Sequence, residues 1–196
     1  MPIRVVNHRA TSQIRRAAEA GATVLDVTSH GPEPWVRFSP FFPHGGIPVP
    51  LSPGRTTQSV EGAWQGLKVF TTEDIDVSKM RITTMEGLKR TSRKYGSMRG
   101  HRAGIGGKDL LGYITARYEI YLPLYRWVLE NRLSKELAEI QRLSEQGEVV
   151  LLDYALNGDV DDPSSALSHA QLIRRYLEND WPVRANRPAE TVQVDT

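Results

Sequence analysis

The stretch Gln58-Ser59-Val60-Glu61-Gly62-Ala63-Trp64-Gln65-Gly66-Leu67-Lys68-Val69-Phe70 opens like a helix, with Ser59 or Gln58 at its start and a glutamate in its first turn. Read as helix throughout, it places Glu61, Trp64, Gln65 and Lys68 at i, i+3, i+4 and i+7, along one side. Amphipathic helices ordinarily put apolar side chains at that spacing. Here Val60, Ala63, Leu67 and Phe70 form a separate apolar stripe, so the helix is expected to bury one side and present a polar wall beside it. The helix dipole is a sufficient structural reason for Glu61 on its own, so a role in chemistry needs support from elsewhere in the chain.

The 196 residues are 39% hydrophobic and 24% charged, which suits an ordinary globular chain with one sizeable core. The chain is expected to form a single α+β domain over residues 1–183, mainly helical with a small sheet, followed by a flexible tail from Arg184 to Thr196. It contains no cysteine, which excludes disulfides, thiolate metal sites and cysteine nucleophiles. No apolar run approaches the ~20 residues that cross a bilayer, and the N-terminus lacks the apolar core of a signal peptide. A cytoplasmic protein without a membrane partner is the expectation.

Upstream, Ile3–Val6 reads as a strand, Thr11 or Ser12 caps a helix reaching about Ala20, Gly21 stops it, and Thr23–Val27 is a second strand. This β-α-β opening reads as scaffold, with His8 a loop residue. From Ser29 to Arg55 prolines, glycines and aromatics exclude a helix over most of the stretch, yet Trp35, Phe38, Phe41 and Phe42 mark an ordered loop.

Downstream, Lys89, Arg90, Arg93, Lys94, Arg99, Arg102 and Lys108 form a basic run without an acidic residue. Lys89-Arg90 and Arg93-Lys94 repeat at helical spacing, and Gly96, Gly100, Gly104, Gly106 and Gly107 are expected to make the rest of the run a loop. Backbone N–H groups and guanidinium forks in such a loop suit phosphate oxygens. Asp109 is a candidate cap for a helix from Leu110, Pro123 kinks or restarts it, and further helices are expected over Leu124–Leu133 and from Ser134 to Gly147. Arg117 and Arg126, on so aromatic a stretch, are the better candidates there for a site. Glu148–Tyr154 reads as a buried strand. Asp159 and Asp161 have the spacing of a partial cation loop, and a last helix is expected over Ser165–Leu177.

Phe38-Ser39-Pro40-Phe41-Phe42-Pro43, followed by Ser59-Val60-Glu61 and onward to Phe70, resembles the NADAR superfamily of N-glycosidases. Its members carry a Phe/Leu-Ser-Asn-Phe-Tyr-Pro loop and a Ser-x-Glu-His-x-x-Gln-x-x-Lys-Phe helix. The resemblance spans about 35 residues; Gly62 stands where the family has histidine, Pro40 where it has asparagine, and its later Trp-Gly signature is not visible. It implies Glu61 as the catalytic carboxylate, Gln65 and Lys68 lining the site, and Phe38 over the ligand. On that reading Trp64 and Gln65 clamp the base, while Lys68, Arg90, Arg99 and Arg102 hold phosphate. His101 and Asp161 complete the expected substrate contacts.

The expected activity is hydrolysis of the N-glycosidic bond of a ribosyl-phosphate or ADP-ribose-type substrate, with no cofactor and no metal. The expected partner is a phosphate-bearing small molecule or ADP-ribosylated nucleic acid. The alternative is a non-catalytic nucleotide or nucleic-acid binding module built on the basic 89–108 segment. A structural assembly protein, with the aromatic loop as its interface, is a third reading.

Overall fold

The structure, a computed structural model, describes residues 2–184; the expected tail, apart from Arg184, lies outside the described residues. In chain order it contains β1 (Ile3–Asn7), α1 (Thr11–Glu19), β2 (Thr23–Asp26), β3 (Ile47–Pro48), β4 (Thr56–Thr57), α2 (Val60–Gly66), β5 (Lys68–Phe70), α3 (Ser92–Tyr95), β6 (Met98–Arg102), β7 (Leu110–Leu111), α4 (Tyr113–Ala116), α5 (Leu122–Arg132), α6 (Ser134–Gln146), β8 (Val149–Asp153) and α7 (His169–Leu177). The class is α+β, with small sheets. By their internal packing the residues fall into two compact units, one of 2–39 with 129–182 and one of 40–128 with 183–184.

The first unit is built on a parallel sheet of order β1-β8-β2, in which Val149 pairs with both Ile3 and Thr23. β1 and β2 are therefore not neighbours: α1 carries the chain across the slot that β8 later fills. Val149, Val150 and Leu151 are fully excluded from water, as expected of a strand covered on both faces. Ala17, Ile14 and Ala10 pack on Val6, Val150 and Leu152, while α7 packs on β1 and β8 through Ala170, Leu172 and Ile173. Each buried aliphatic of this kind contributes about 1.5–3 kcal/mol. Gly21 ends α1 with φ +88°, in the left-handed region, as its position suggests.

The second unit holds an antiparallel sheet of order β5-β6-β7 and a short β3-β4 ribbon, with α2 wholly buried beside them. Ser59 caps α2 by accepting from the Gly62 N–H at 3.0 Å. The helix stops at Gly66, not at Phe70, and Lys68–Phe70 is strand. Lys68 therefore leaves the helical stripe, while Glu61, Trp64 and Gln65 keep it.

Three other boundaries differ from expectation. Met98–Arg102, expected as glycine-rich loop, is the central strand of its sheet. Leu110–Leu111, expected to open a helix after Asp109, pairs with it, and the helix begins at Tyr113. Residues Ser165–Leu167 stay outside α7, because Ser168 caps the helix by accepting from the Gln171 N–H. Before Pro123 the chain opens into a π-turn over Arg117–Tyr121, which accommodates the missing proline N–H without ending the helix.

Candidate functional site

Glu61 lies in the first turn of α2 and is 8% exposed. Gln65, one turn on, donates from Nε2 to Glu61 Oε1 at 2.7 Å. The Gln65 Oε1 accepts from the Arg90 backbone N–H at 2.9 Å, so the amide is fixed at both ends and its orientation toward Glu61 is set. Among the described residues no cation lies within 4 Å of the Glu61 carboxylate. Burial pushes the Glu61 carboxyl up from its ordinary range, against the opposing pull of Gln65, Lys68 and Lys89. Lys68 moves the other way: burial lowers it, Glu61 partly restores it, and Arg90 and Lys89 lower it further. Burial thus raises the carboxyl and lowers the ammonium, and each partly offsets the shift of the other.

An aromatic wall stands beside them. The Trp64 ring stacks on His101 at 3.8 Å between centroids and meets Tyr113 at 5.8 Å and Tyr121 at 5.4 Å. His101 sits opposite Lys68 in the β5-β6 ladder. Its ring is fully buried and neither nitrogen has a hydrogen-bond partner among the described residues. Burial, with the Lys68 charge, holds the imidazole down at about 3 against a weaker pull from the Trp64 backbone, so it is neutral, and neither nitrogen makes a well-formed hydrogen bond. Next to it Arg117 lies over the Tyr113 ring at 4.6 Å.

The basic run divides. Arg90 is buried under Phe70 and Tyr95, and its guanidinium donates to the Lys68 carbonyl at 2.6 Å and the Asp74 carbonyl at 2.7 Å. Arg102 grips the Asp74 carboxylate with 2.8 Å contacts to both oxygens and also reaches the Lys108 carbonyl. Two of the three guanidinium forks expected to hold phosphate, those of Arg90 and Arg102, are therefore engaged within the protein. Arg99 is exposed at the bulge of β6, and Lys89, Arg93, Lys94 and Lys108 are exposed as well.

Glu61, Trp64, Gln65, Lys68, Arg90 and His101 are brought into one neighbourhood of the second unit. Arg102 borders this neighbourhood, its N–H on the Leu67 carbonyl and its guanidinium on the Asp74 that Arg90 also holds, while Arg99 is exposed at the bulge of β6. Phe38 and Asp161 belong to the first unit, where Phe38 is buried and parallel to Trp35 at 6.4 Å. Asp161 is an exposed turn residue whose N–H donates to Asp159, so that carboxylate caps the turn. Among the described residues no three histidine or carboxylate side chains converge as a metal site. Tyr113 and Tyr121 also form part of the wall; the period of their own segment carries no sign of it, because their partner Trp64 is remote in sequence.

A family model described as "Family of unknown function (DUF6939)" matches residues 6–173, most of the chain, and the chain belongs to that family. No curated protein and no solved structure matches it.

Proposed function

We propose that this chain hydrolyses the N-glycosidic bond of a ribosyl-phosphate or ADP-ribose-type substrate, with Glu61 as its proton-transfer group. The observation that carries the reading is Glu61 itself: a buried carboxyl of raised proton affinity, aimed by a doubly anchored Gln65 and within Coulomb reach of Lys68. In the reaction a water proton passes to Glu61 as the water oxygen bonds to the anomeric carbon. The carbon–nitrogen bond breaks, and the same proton leaves on the departing base. While the sugar carries positive charge, the carboxylate stabilises it. Lys68 faces the phosphate. The likeness of the 38–70 motifs to the NADAR superfamily supports the same assignment of Glu61.

The binding-module alternative is weakened by the inward use of Arg90 and Arg102. The test is to incubate the purified protein with ribose-5-phosphate glycosylamines, free nucleotides and ADP-ribosylated DNA, following base release by chromatography. Glu61→Gln is expected to lower turnover by about 10²–10⁴-fold, with its denaturation midpoint checked alongside. Release that is unchanged in the variant removes Glu61 from the chemistry. Absent release together with salt-steep DNA binding favours the alternative.

A further inference from the structure

The sheet of the first unit has its own arrangement of reactive groups. All three strands are parallel, so their carboxyl ends lie along one edge, and ligand sites of open parallel sheets are found at such edges. On this edge stand His8 and Arg9 after β1, Asp26 and His30 at and after β2, and Tyr154 after β8.

These residues hold one another in place. Asp26 Oδ1 accepts from the Thr28 N–H at 3.0 Å, and Oδ2 lies 3.1 Å from His8 Nε2. A carboxylate only accepts, so Nε2 carries a hydrogen toward Asp26, and His8 Nδ1 has no partner among the described residues. The His8 ring packs on Tyr154 at 4.9 Å between centroids. Asn7 clamps the two strand ends, donating to the Tyr154 carbonyl at 2.9 Å and accepting from the Arg9 N–H at 2.9 Å. The Arg9 guanidinium rests over Tyr154 at 5.7 Å and has no ion pair among the described residues. His30 meets the Tyr154 ring edge-on at 6.3 Å, brought there by a turn in which a Cβ on Gly31 would run into the Asp26 carbonyl.

A carboxylate-oriented imidazole with an unpartnered nitrogen, beside a guanidinium with no ion pair, suits an anion with several acceptor oxygens. We propose that this edge is a second ligand site, which takes a phosphate monoester on Arg9 and His8. His8 donates from Nδ1 to a phosphate oxygen while Nε2 keeps its contact with Asp26, and Arg9 adds a bidentate contact. Other titratable groups facing this site are His30, Tyr154 and, across Asp26, His169 with its partner Asp153. The site is independent of Glu61, whose unit does not contain these residues.

The test is long-range ¹H–¹⁵N correlation of the histidine rings in the full chain at pH 7, titrated with inorganic phosphate against chloride at matched ionic strength. His8 is assigned by its loss in His8→Gln. Phosphate is expected to move the His8 Nδ1 resonance saturably toward the protonated position, Arg9→Ala weakens the apparent Kd about tenfold or more, and Glu61→Gln leaves the titration unchanged. A shift that chloride reproduces, that does not saturate, or that Arg9→Ala leaves intact overturns the proposal. Loss of base release in Glu61→Gln with the His8 titration intact separates the two sites.

Discussion

Trp64 and His101 lie face to face with ring centroids 3.8 Å apart, and neither imidazole nitrogen of His101 has a hydrogen-bond partner among the described residues. A residue contributed by α2 is thereby stacked on one contributed by the central strand of the neighbouring sheet. The stack retains aromatic contact and keeps the ring neutral, but leaves two polar atoms unmet, which costs stability that an apolar ring would not.

This relationship gives a pH-dependent prediction. The folded value for His101, about 3, lies below the ordinary 6.5, so its contribution is fully present above 6.5 and is lost as pH falls toward 3. His101→Phe removes that term. Urea denaturation at pH 7.5 and 4.5 is expected to show wild type losing about 2–3 kcal/mol relative to the variant between the two. Parallel losses in both proteins would show that the ring is reached by protons without unfolding.

Gly62 occupies the position where the resembling superfamily carries histidine, and the local packing gives the reason. A Cβ there would sit 2.8 Å from the Lys79 carbonyl oxygen and 3.1 Å from the hydroxyls of Ser59 and Thr57. In an open helix, glycine to alanine gains about 1 kcal/mol. Here Gly62→Ala is expected to lose about 1–3 kcal/mol, and Gly62→His more, as a lowered urea midpoint with an unchanged slope. A neutral or stabilising alanine would mean that the Lys79 segment yields freely.

The first unit was readable because its signals are local: Val149–Leu152 is apolar without interruption, and α1 repeats apolar residues at helical spacing between a strand and Gly21. The order β1-β8-β2 was not, since nothing within residues 3–27 marks a gap for a strand more than a hundred positions later. Glycine misled most in the second unit. Gly100 marks close approach to the Leu111 carbonyl within a sheet, although its composition suggested a loop, and Gly66 ends α2 where Asp76 closes on it. In the site, Glu61–Gln65 was legible as an i, i+4 pair. Its union with His101 depends on β5-β6 pairing and that with Arg90 on hydrogen bonds between residues far apart in sequence, and His8 passed for a loop residue because Asp26 lies in another strand.

Arg90 separates a structural from a ligand-binding cation. Its fork satisfies the Lys68 and Asp74 carbonyls, and its N–H holds the Gln65 amide that orients Glu61. Lysine retains the charge but not the fork, so Arg90→Lys is expected to cost about 2–4 kcal/mol through the freed carbonyls. Exposed Arg99→Ala should stay within about 0.5 kcal/mol. Thermal or urea melts of the two variants decide; equal, small effects would return Arg90 to the cations available for a ligand.

Asp153 and His169 form a buried pair at 3.0 Å in the first unit, and geometry sets their charge. His169 Nε2 lies 2.9 Å from the Val27 carbonyl, which only accepts, while Nδ1 faces Asp153 Oδ2, so both ring nitrogens are donors and the imidazole is charged. Burial opposes that charge, but Asp153 outweighs it and raises His169. Burial likewise opposes ionised Asp153, which His169, Ser168 and the Ala170 N–H hold down at about 2. The Asp153 contribution is present above its ordinary 3.8 and disappears as pH falls toward 2. The His169 contribution is complete below its ordinary 6.5 and is lost as pH rises through the raised folded value. The pair is thus at full strength between those ordinary values. Asp153→Asn leaves His169 buried without a counter-ion and is expected to cost about 3–5 kcal/mol in that window. The gap from wild type, measured by urea denaturation from about pH 4 to 9, should be widest near pH 5–6 and shrink toward pH 9 as His169 loses its proton in wild type. A gap that is constant across the range would show that His169 is neutral in the native protein.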